Sequence, residues 1–306
     1  MRIRAFVAAV AILPSTANAA KPLHLALTSP WVIDYAKNSC RLIGHFGQGA
    51  DTTMLAFESE APGALDMIIV GKPVASDAYE VPARFLPVQT KPKTTGIPGR
   101  STDKFVPMVL FSTVYLLPDE ALARQIQENV RRFEHPFTRP PAVSLAERAV
   151  KEAQRKAFAV DAVAIEIDSR RDRTVILDTG SLGGAMEAFD KCSRDSLRDW
   201  GVDPELEDKI VRPVWTSDPQ LGLRSEDYPQ DMANLGRISD VKVRVLVDAT
   251  GHITKCTSLS HFNEPVFNQI VCDKLTAKAH FEPAEVADGT KVPSYYVSNI
   301  KFRLAD

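Results

Sequence analysis

Four cysteines, six histidines and one short acidic loop are the residues of this 306-residue chain whose types could do chemistry. The cysteines are Cys40, Cys192, Cys256 and Cys272. A zinc site would place thiolates or imidazoles in close pairs, and no C-x2-C or clustered histidine pair exists, so metal is not expected. An even cysteine count suits disulfides if the chain is exported, and four cysteines allow three pairings. No G-x-S-x-G elbow, P-loop or G-x-G-x-x-G turn is present, so no nucleophilic serine or cofactor site is expected from motifs. The cysteines read as structural, which argues against a thiol nucleophile.

The acidic loop is Asp178-Thr179-Gly180-Ser181, following the apolar run Val175–Leu177. It matches the catalytic loop of aspartic peptidases, which need two carboxylates sharing one proton so that one serves as acid and the other as base. The chain has one such loop, and a homodimer would have to supply the second. A helical pattern begins within about five residues, where a retropepsin-like aspartic peptidase would continue into strands. The competing reading is a strand-to-helix connection with Ser181 near the helix start.

The beginning of the chain sets the expected compartment. Arg2 and Arg4 precede the apolar run Ala5–Leu13, Pro14 breaks it, and Ala17-Asn18-Ala19 gives an A-x-A cleavage pattern. A membrane-spanning helix needs about 20 apolar residues, so residues 1–19 read as a cleavable signal peptide and the remainder as a soluble periplasmic product. A net charge of −2 gives no expectation of nucleic-acid or strong anionic-membrane binding. With 44% apolar residues the chain can build real cores, and its length suggests about two domains.

The expected fold class is α+β in two domains, residues 20–201 and 226–306, joined by a linker at 202–225 that carries Pro204, Pro213 and Pro219. In the first domain, Thr52–Glu58 and Ala64–Gly71 read as a hairpin, and Phe105–Leu116 as a further strand. Residues 80–101, with four prolines, read as a long loop, and residues 134–143 as a second break. Asp119–Phe133 has Leu122, Ile126, Val130 and Phe133 on one helical face. Ser144 and Glu147 form a capping box for a helix running to about Phe158. Val160–Ile167 and Thr174–Leu177 suggest a second hairpin. A final helix, Ala185–Trp200, carries Met186, Phe189, Ser193, Leu197 and Trp200 on one face and stops at Gly201. Cys192 lies beside that face, where a bridge to Cys40 would tie the ends of the domain together; two buried thiols are the alternative.

From Tyr228-Pro229 the pattern changes. Met232 and Leu235 suit a brief helix. Val241, Val243, Val245 and Val247 alternate with Lys242 and Arg244, a half-buried strand. Asp248–Gly251 is a hairpin turn and His252–Leu259 the returning strand. Glu264–His280 is a helix with Val266, Phe267, Ile270, Val271 and Leu275 as its apolar stripe, and Ser294–Leu304 is a last strand. The order β-β-α-β predicts a three-stranded antiparallel sheet with one packed helix.

These residues resemble the C-terminal domain of TonB, the energy transducer of bacterial outer-membrane uptake. The marks are Tyr228-Pro229, the V-K-V-R-V strand, the Asp-x-x-Gly turn, His280-Phe281-Glu282-Pro283 after the helix and the closing strand to Arg303, about 226–304 in all. The resemblance implies binding rather than catalysis. An extended peptide of an outer-membrane transporter or other envelope protein would pair with the sheet edge, since an edge strand presents unpaired N–H and C=O groups. By position that edge is Tyr296, Val297, Ser298, Asn299, Ile300, Lys301, Phe302 and Arg303; it could instead pair with itself in a homodimer. Cys256 falls on the second strand and Cys272 on the rim of the helix stripe, so a bridge between them is expected. The chain departs from the transducer pattern: it shows a cleavable leader where an anchor is needed, and no proline- and lysine-rich spacer. A periplasmic adaptor role fits better, with an anchored transducer the alternative if the leader is kept.

Overall fold

The chain folds around two hydrophobic cores, one built by residues 25–192 and the other by residues 210–302. The computed structural model describes residues 21–134, 139, 142, 160–167, 173–259 and 264–304, apart from 37, 63–64, 102–103 and 219. The expected signal peptide, the capping box at Ser144 and the helix beyond it lie outside the described residues.

Among the described residues, ten strands enclose the first core. They are β1 (Leu23–Ala26), β2 (Val32–Tyr35), β3 (Cys40–Phe46), β4 (Thr53–Ser59), β5 (Asp66–Gly71), β6 (Val81–Leu86), β7 (Thr94–Arg100), β8 (Pro107–Phe111), β9 (Ala162–Ile167) and β10 (Arg173–Asp178). Their order is β1-β10-β9-β6-β7-β8-β5-β4-β3-β2. The first and last strands of that row are consecutive in the chain. Residues just after β1 also bond to the end of β3, through Thr28 N–H to His45 C=O at 2.8 Å and Gly47 N–H to Ala26 C=O at 3.0 Å. The row therefore closes on itself as a barrel through the residues after β1, which leaves β2 paired on one side only. Phe46, Phe57, Phe85 and Phe111 fill the interior.

The expected hairpins appear as β4–β5 and β9–β10. Residues 80–101 are corrected: they are not a long loop but contain β6 and β7. Each of their strand prolines pairs with one neighbour only, Pro82 with β7 and Pro98 with β8, so the ring nitrogen can face the side where no ladder bond is needed. Helix α1 (Asp119–Glu134) matches its expected span, and Leu122 is buried, but Ile126 is 43% exposed. Helix α2 (Gly183–Asp199) buries Phe189, Cys192, Ser193 and Leu197, and Cys192 is bridged to Cys40 on β3.

Residues 202–225 differ from an extended linker. They hold the helical turn α3 (Pro204–Glu207), the strand β11 (Ile210–Arg212), and Val214, Leu221 and Leu223, all packed in the second core. Pro204 sits at the start of α3, where its missing N–H costs no helical bond, and Asp203 caps that turn by accepting from Glu205 N–H at 2.8 Å. Beyond them come the short helix α4 (Gln230–Asn234), β12 (Ser239–Val247), β13 (Ile253–Ser258) and α5 (Pro265–Lys278). The chain then forms β14 (Ala284–Val286), β15 (Lys291–Val292) and β16 (Ser294–Phe302). Two sheets result, β11-β14-β15 and β13-β12-β16.

The second of these sheets is the expected three-stranded antiparallel one, and α5 packs on it. Val241, Val243, Val245 and Val247 of β12 face Phe267, Val271 and Leu275 of α5, all nearly or fully buried. Tyr228, Phe267 and Phe302 stack edge to face or tilted with ring centroids 4.8–5.8 Å apart, which locks the segment before α4 to the helix and to β16. Cys256 on β13 is bridged to Cys272 on α5. The β12–β13 turn requires Gly251: its φ is +92°, and a Cβ there would lie 2.2 Å from the Phe281 carbonyl oxygen.

Candidate functional site

β16 lies at one edge of the β13-β12-β16 sheet, paired along its whole length with β12 from Ser239↔Phe302 to Val247↔Ser294. One backbone bond decides which of its amides are open. The Leu259 N–H donates to Lys242 C=O at 2.8 Å, so Lys242 turns its backbone groups toward the β13 side. In an antiparallel ladder successive residues turn theirs to opposite sides, so Val241, Val243 and Val245 turn theirs toward β16. Their partners Ile300, Ser298 and Tyr296 use their N–H and C=O groups on β12. Val297, Asn299 and Lys301 then point theirs outward, and among the described residues no backbone hydrogen bond is made on that side.

The side chains of the eight expected edge residues divide as the alternation predicts. Tyr296, Ser298, Ile300 and Phe302 share the α5 face, with Phe302 buried and Tyr296 stacked on Phe281 at 5.2 Å. Burial raises the Tyr296 hydroxyl above its ordinary pKa. Val297, Asn299, Lys301 and Arg303 lie on the other face, where Asn299 and Lys301 are exposed. Arg303 folds back onto its own sheet, donating to Ser239 C=O at 3.2 Å and pairing with Asp240 at 2.7 Å.

That second face is not open to solvent along β12, as a half-buried strand would be. The barrel and the end of α2 cover it. Lys242 donates to Asp66 at 2.7 Å and lies 2.5 Å from Glu60. Arg244, 3% exposed, donates to the Asn38 carbonyl at 3.0 Å and the Glu60 carbonyl at 2.5 Å. Its guanidinium stacks 3.3 Å from the Trp200 ring centroid. Burial lowers the Arg244 pKa to about 10, the nearby Glu60 charge opposing that shift, so it stays a cation at neutral pH. Leu246 packs with Leu197 and Val202, and Tyr295 donates to the Pro62 carbonyl at 3.3 Å. Sequence reasoning missed this interface. The one available signal was Leu246, an apolar residue at a position whose neighbours on that face are Lys242 and Arg244.

The four cysteines form the two expected bridges, Cys40–Cys192 and Cys256–Cys272. The acidic loop sits where β10 ends: Thr179 is buried, and α2 begins at Gly183. The Asp178 carboxylate faces the His24 ring, Nδ1 at 3.1 and 3.2 Å, on the adjacent strand β1. Its polar partner within the chain is an imidazole, and the second carboxylate of an aspartic-peptidase pair would have to come from another copy. Among the described residues no group of three or more His, Cys, Asp or Glu side chains could hold a metal ion.

Residues 224–304 match the family model described as Gram-negative bacterial TonB protein C-terminal. The C-terminal segment is a TonB C-terminal domain. The match covers about a quarter of the chain and spans β12, β13, α5 and β16, the elements that build the open edge. No curated protein and no solved structure matches the chain. The TonB-type domain thus carries a barrel on the sheet face opposite its helix. No helix of the described residues is long and apolar enough to cross a membrane.

Proposed function

We propose that this chain is a periplasmic, TonB-like binding protein, without enzymatic activity of its own, that captures an extended peptide of an outer-membrane transporter or other envelope protein by strand addition along β16. The observation that carries the reading is the outward row at Val297, Asn299 and Lys301, on a strand of nine residues that, among the described residues, pairs with β12 on one side and with no strand on the other. A guest chain laid beside it gains main-chain hydrogen bonds at every second residue, and flanking side chains set its specificity. In the barrel, β2 also pairs on one side only, but it is four residues long. We read the chain as two domains meeting near residue 202. With the leader removed, its role is that of an adaptor or competitor in TonB-dependent transport.

The test is capture from envelope extract by the full chain carrying Asn299→Pro, against Asn299→Ala. Proline removes the outward N–H and crowds the incoming strand, while alanine leaves the ladder intact. One lost hydrogen bond is worth about 1 kcal/mol and the clash adds to it, so retention of the guest falls about tenfold or more with proline and stays near wild type with alanine. Equal capture by both variants would remove strand addition at this edge.

A further inference from the structure

At the centre of the interface between barrel and TonB-type sheet, one ammonium faces two carboxylates. Lys242 reaches both Glu60 and Asp66, whose side chains are 5% and 13% exposed. Its aligned hydrogen bond goes to Asp66; Glu60 Oε2, although in charge contact, receives no aligned hydrogen bond. The other charges around the group are already committed. Glu58 on β4 accepts from Ser39 at 2.6 Å and from Arg41 at 3.0 Å. Arg244 gives its guanidinium to two main-chain carbonyls and the Trp200 ring, and Tyr295 from β16 bonds to Pro62. The Glu60–Lys242–Asp66 group therefore sets two carboxylates against one ammonium, with Glu60 the most buried of the three, while the Arg244 cation, bonded only to neutral carbonyls, lies close enough to feel the Glu60 charge.

We propose that this group is a proton-operated clasp: uptake of one solvent proton by the Glu60 carboxylate tightens the barrel against the TonB-type sheet, and its loss loosens them. The proton converts Glu60 from carboxylate to neutral carboxyl, bringing the three-residue group from one net negative charge to none and supplying an O–H donor where none exists. Nothing in this depends on peptide capture by β16.

The sign follows from burial. Burial raises the Glu60 pKa, with Lys242 opposing and Asp66 and Glu58 reinforcing the shift. When the interface opens, water reaches Glu60 and its ordinary value returns. A group whose pKa is higher in the docked state favours docking at low pH, and that contribution is lost as pH rises through the raised value. Burial alone would lower the Lys242 pKa, but Asp66 and Glu60 outweigh it and hold the ammonium charged throughout.

Trp200 reports the interface, because Arg244 from the sheet stacks on it. The full chain, labelled with 5-fluorotryptophan, gives fluorine NMR signals for Trp31, Trp200 and Trp215, and Trp200→Phe assigns the one of interest. From pH 8 to pH 5 the Trp200 signal should move to a docked limit while Trp31 and Trp215 stay fixed. In Glu60→Gln the signal should sit at that limit at both ends of the range. In Lys242→Gln, where the opposing cation is gone, the midpoint should rise by about one unit or more. A Trp200 signal that ignores pH in the wild type overturns the proposal, as does an unchanged transition in Glu60→Gln. Should Glu60→Gln lose the dispersed Trp31 and Trp215 signals of a folded chain, the direction of the Lys242→Gln midpoint decides.

Discussion

Removing the two disulfides separately should weaken the chain unequally, and the loop each one closes gives the magnitudes. Cys256–Cys272 spans 16 residues and Cys40–Cys192 spans 152. In the chain-entropy account a cross-link raises the free energy of the unfolded state with the logarithm of its loop. The short loop is then worth about 3 kcal/mol and the long one about 5 kcal/mol at 25 °C. The difference of about 2 kcal/mol is the sturdier prediction, because errors common to both estimates cancel in it. The short bridge still matters for the TonB-type domain: it pins α5 to β13 in a unit of some 80 residues, a size at which a core alone leaves a thin margin. The assay is urea unfolding of full-length Cys256→Ser/Cys272→Ser and Cys40→Ser/Cys192→Ser chains, with fluorescence as probe and each midpoint multiplied by its slope. Equal losses, or a greater loss from the short bridge, would refute the loop-length reasoning.

Two further outcomes follow from the packing and from the acidic loop. Phe267→Ala empties a fully buried site between Tyr228 and Phe302 and should cost about 3–5 kcal/mol in the same unfolding assay, whereas Val266→Ala, at a side chain 37% exposed, should cost far less. Wild type and Asp178→Asn should be equally inactive on an unfolded protein substrate near pH 5, because Asp178 faces His24 rather than a second carboxylate; activity that disappears in the variant would reinstate the peptidase reading.

The TonB-type domain was readable because each of its elements is written in local pattern. The alternating valines of β12, the Asp248–Gly251 turn and the α5 stripe each specify themselves within one element, and the structure places them as expected. The barrel was less legible. Its closure depends on pairing Leu23–Ala26 with Val175–Asp178, some 150 residues away, and no local pattern encodes that partnership. Prolines at 82 and 98 and Gly96 look like loop signals. In the barrel the prolines pair on one side only, and Gly96 is small because Val109 and Phe111 leave no room for a Cβ, at 2.6–2.8 Å. Residues 202–225 misled for a related reason: Ile210, Val214, Leu221 and Leu223 are spaced irregularly, and their common burial emerges only when β11 meets β14.

The same limit applied at the edge itself. Alternation along Tyr296–Arg303 gave which side chains share a face, but not which amides face outward. That parity is fixed by β12, through the Lys242–Leu259 bond, and a strand's own sequence does not contain it. Lys242 and Arg244 likewise read as solvated positions of a half-buried strand, because the covering surface comes from Asn38, Glu60, Asp66 and Trp200, distant in the chain.

Residue-resolved amide exchange on the full chain, with and without a captured envelope peptide, reads strand addition along β16 one amide at a time. The peptide should slow exchange at Val297, Asn299 and Lys301 and leave Ser298 and Ile300, already bonded to β12, as they were. Peptide binding that protects none of those three amides, or protects β13 instead, would contradict it.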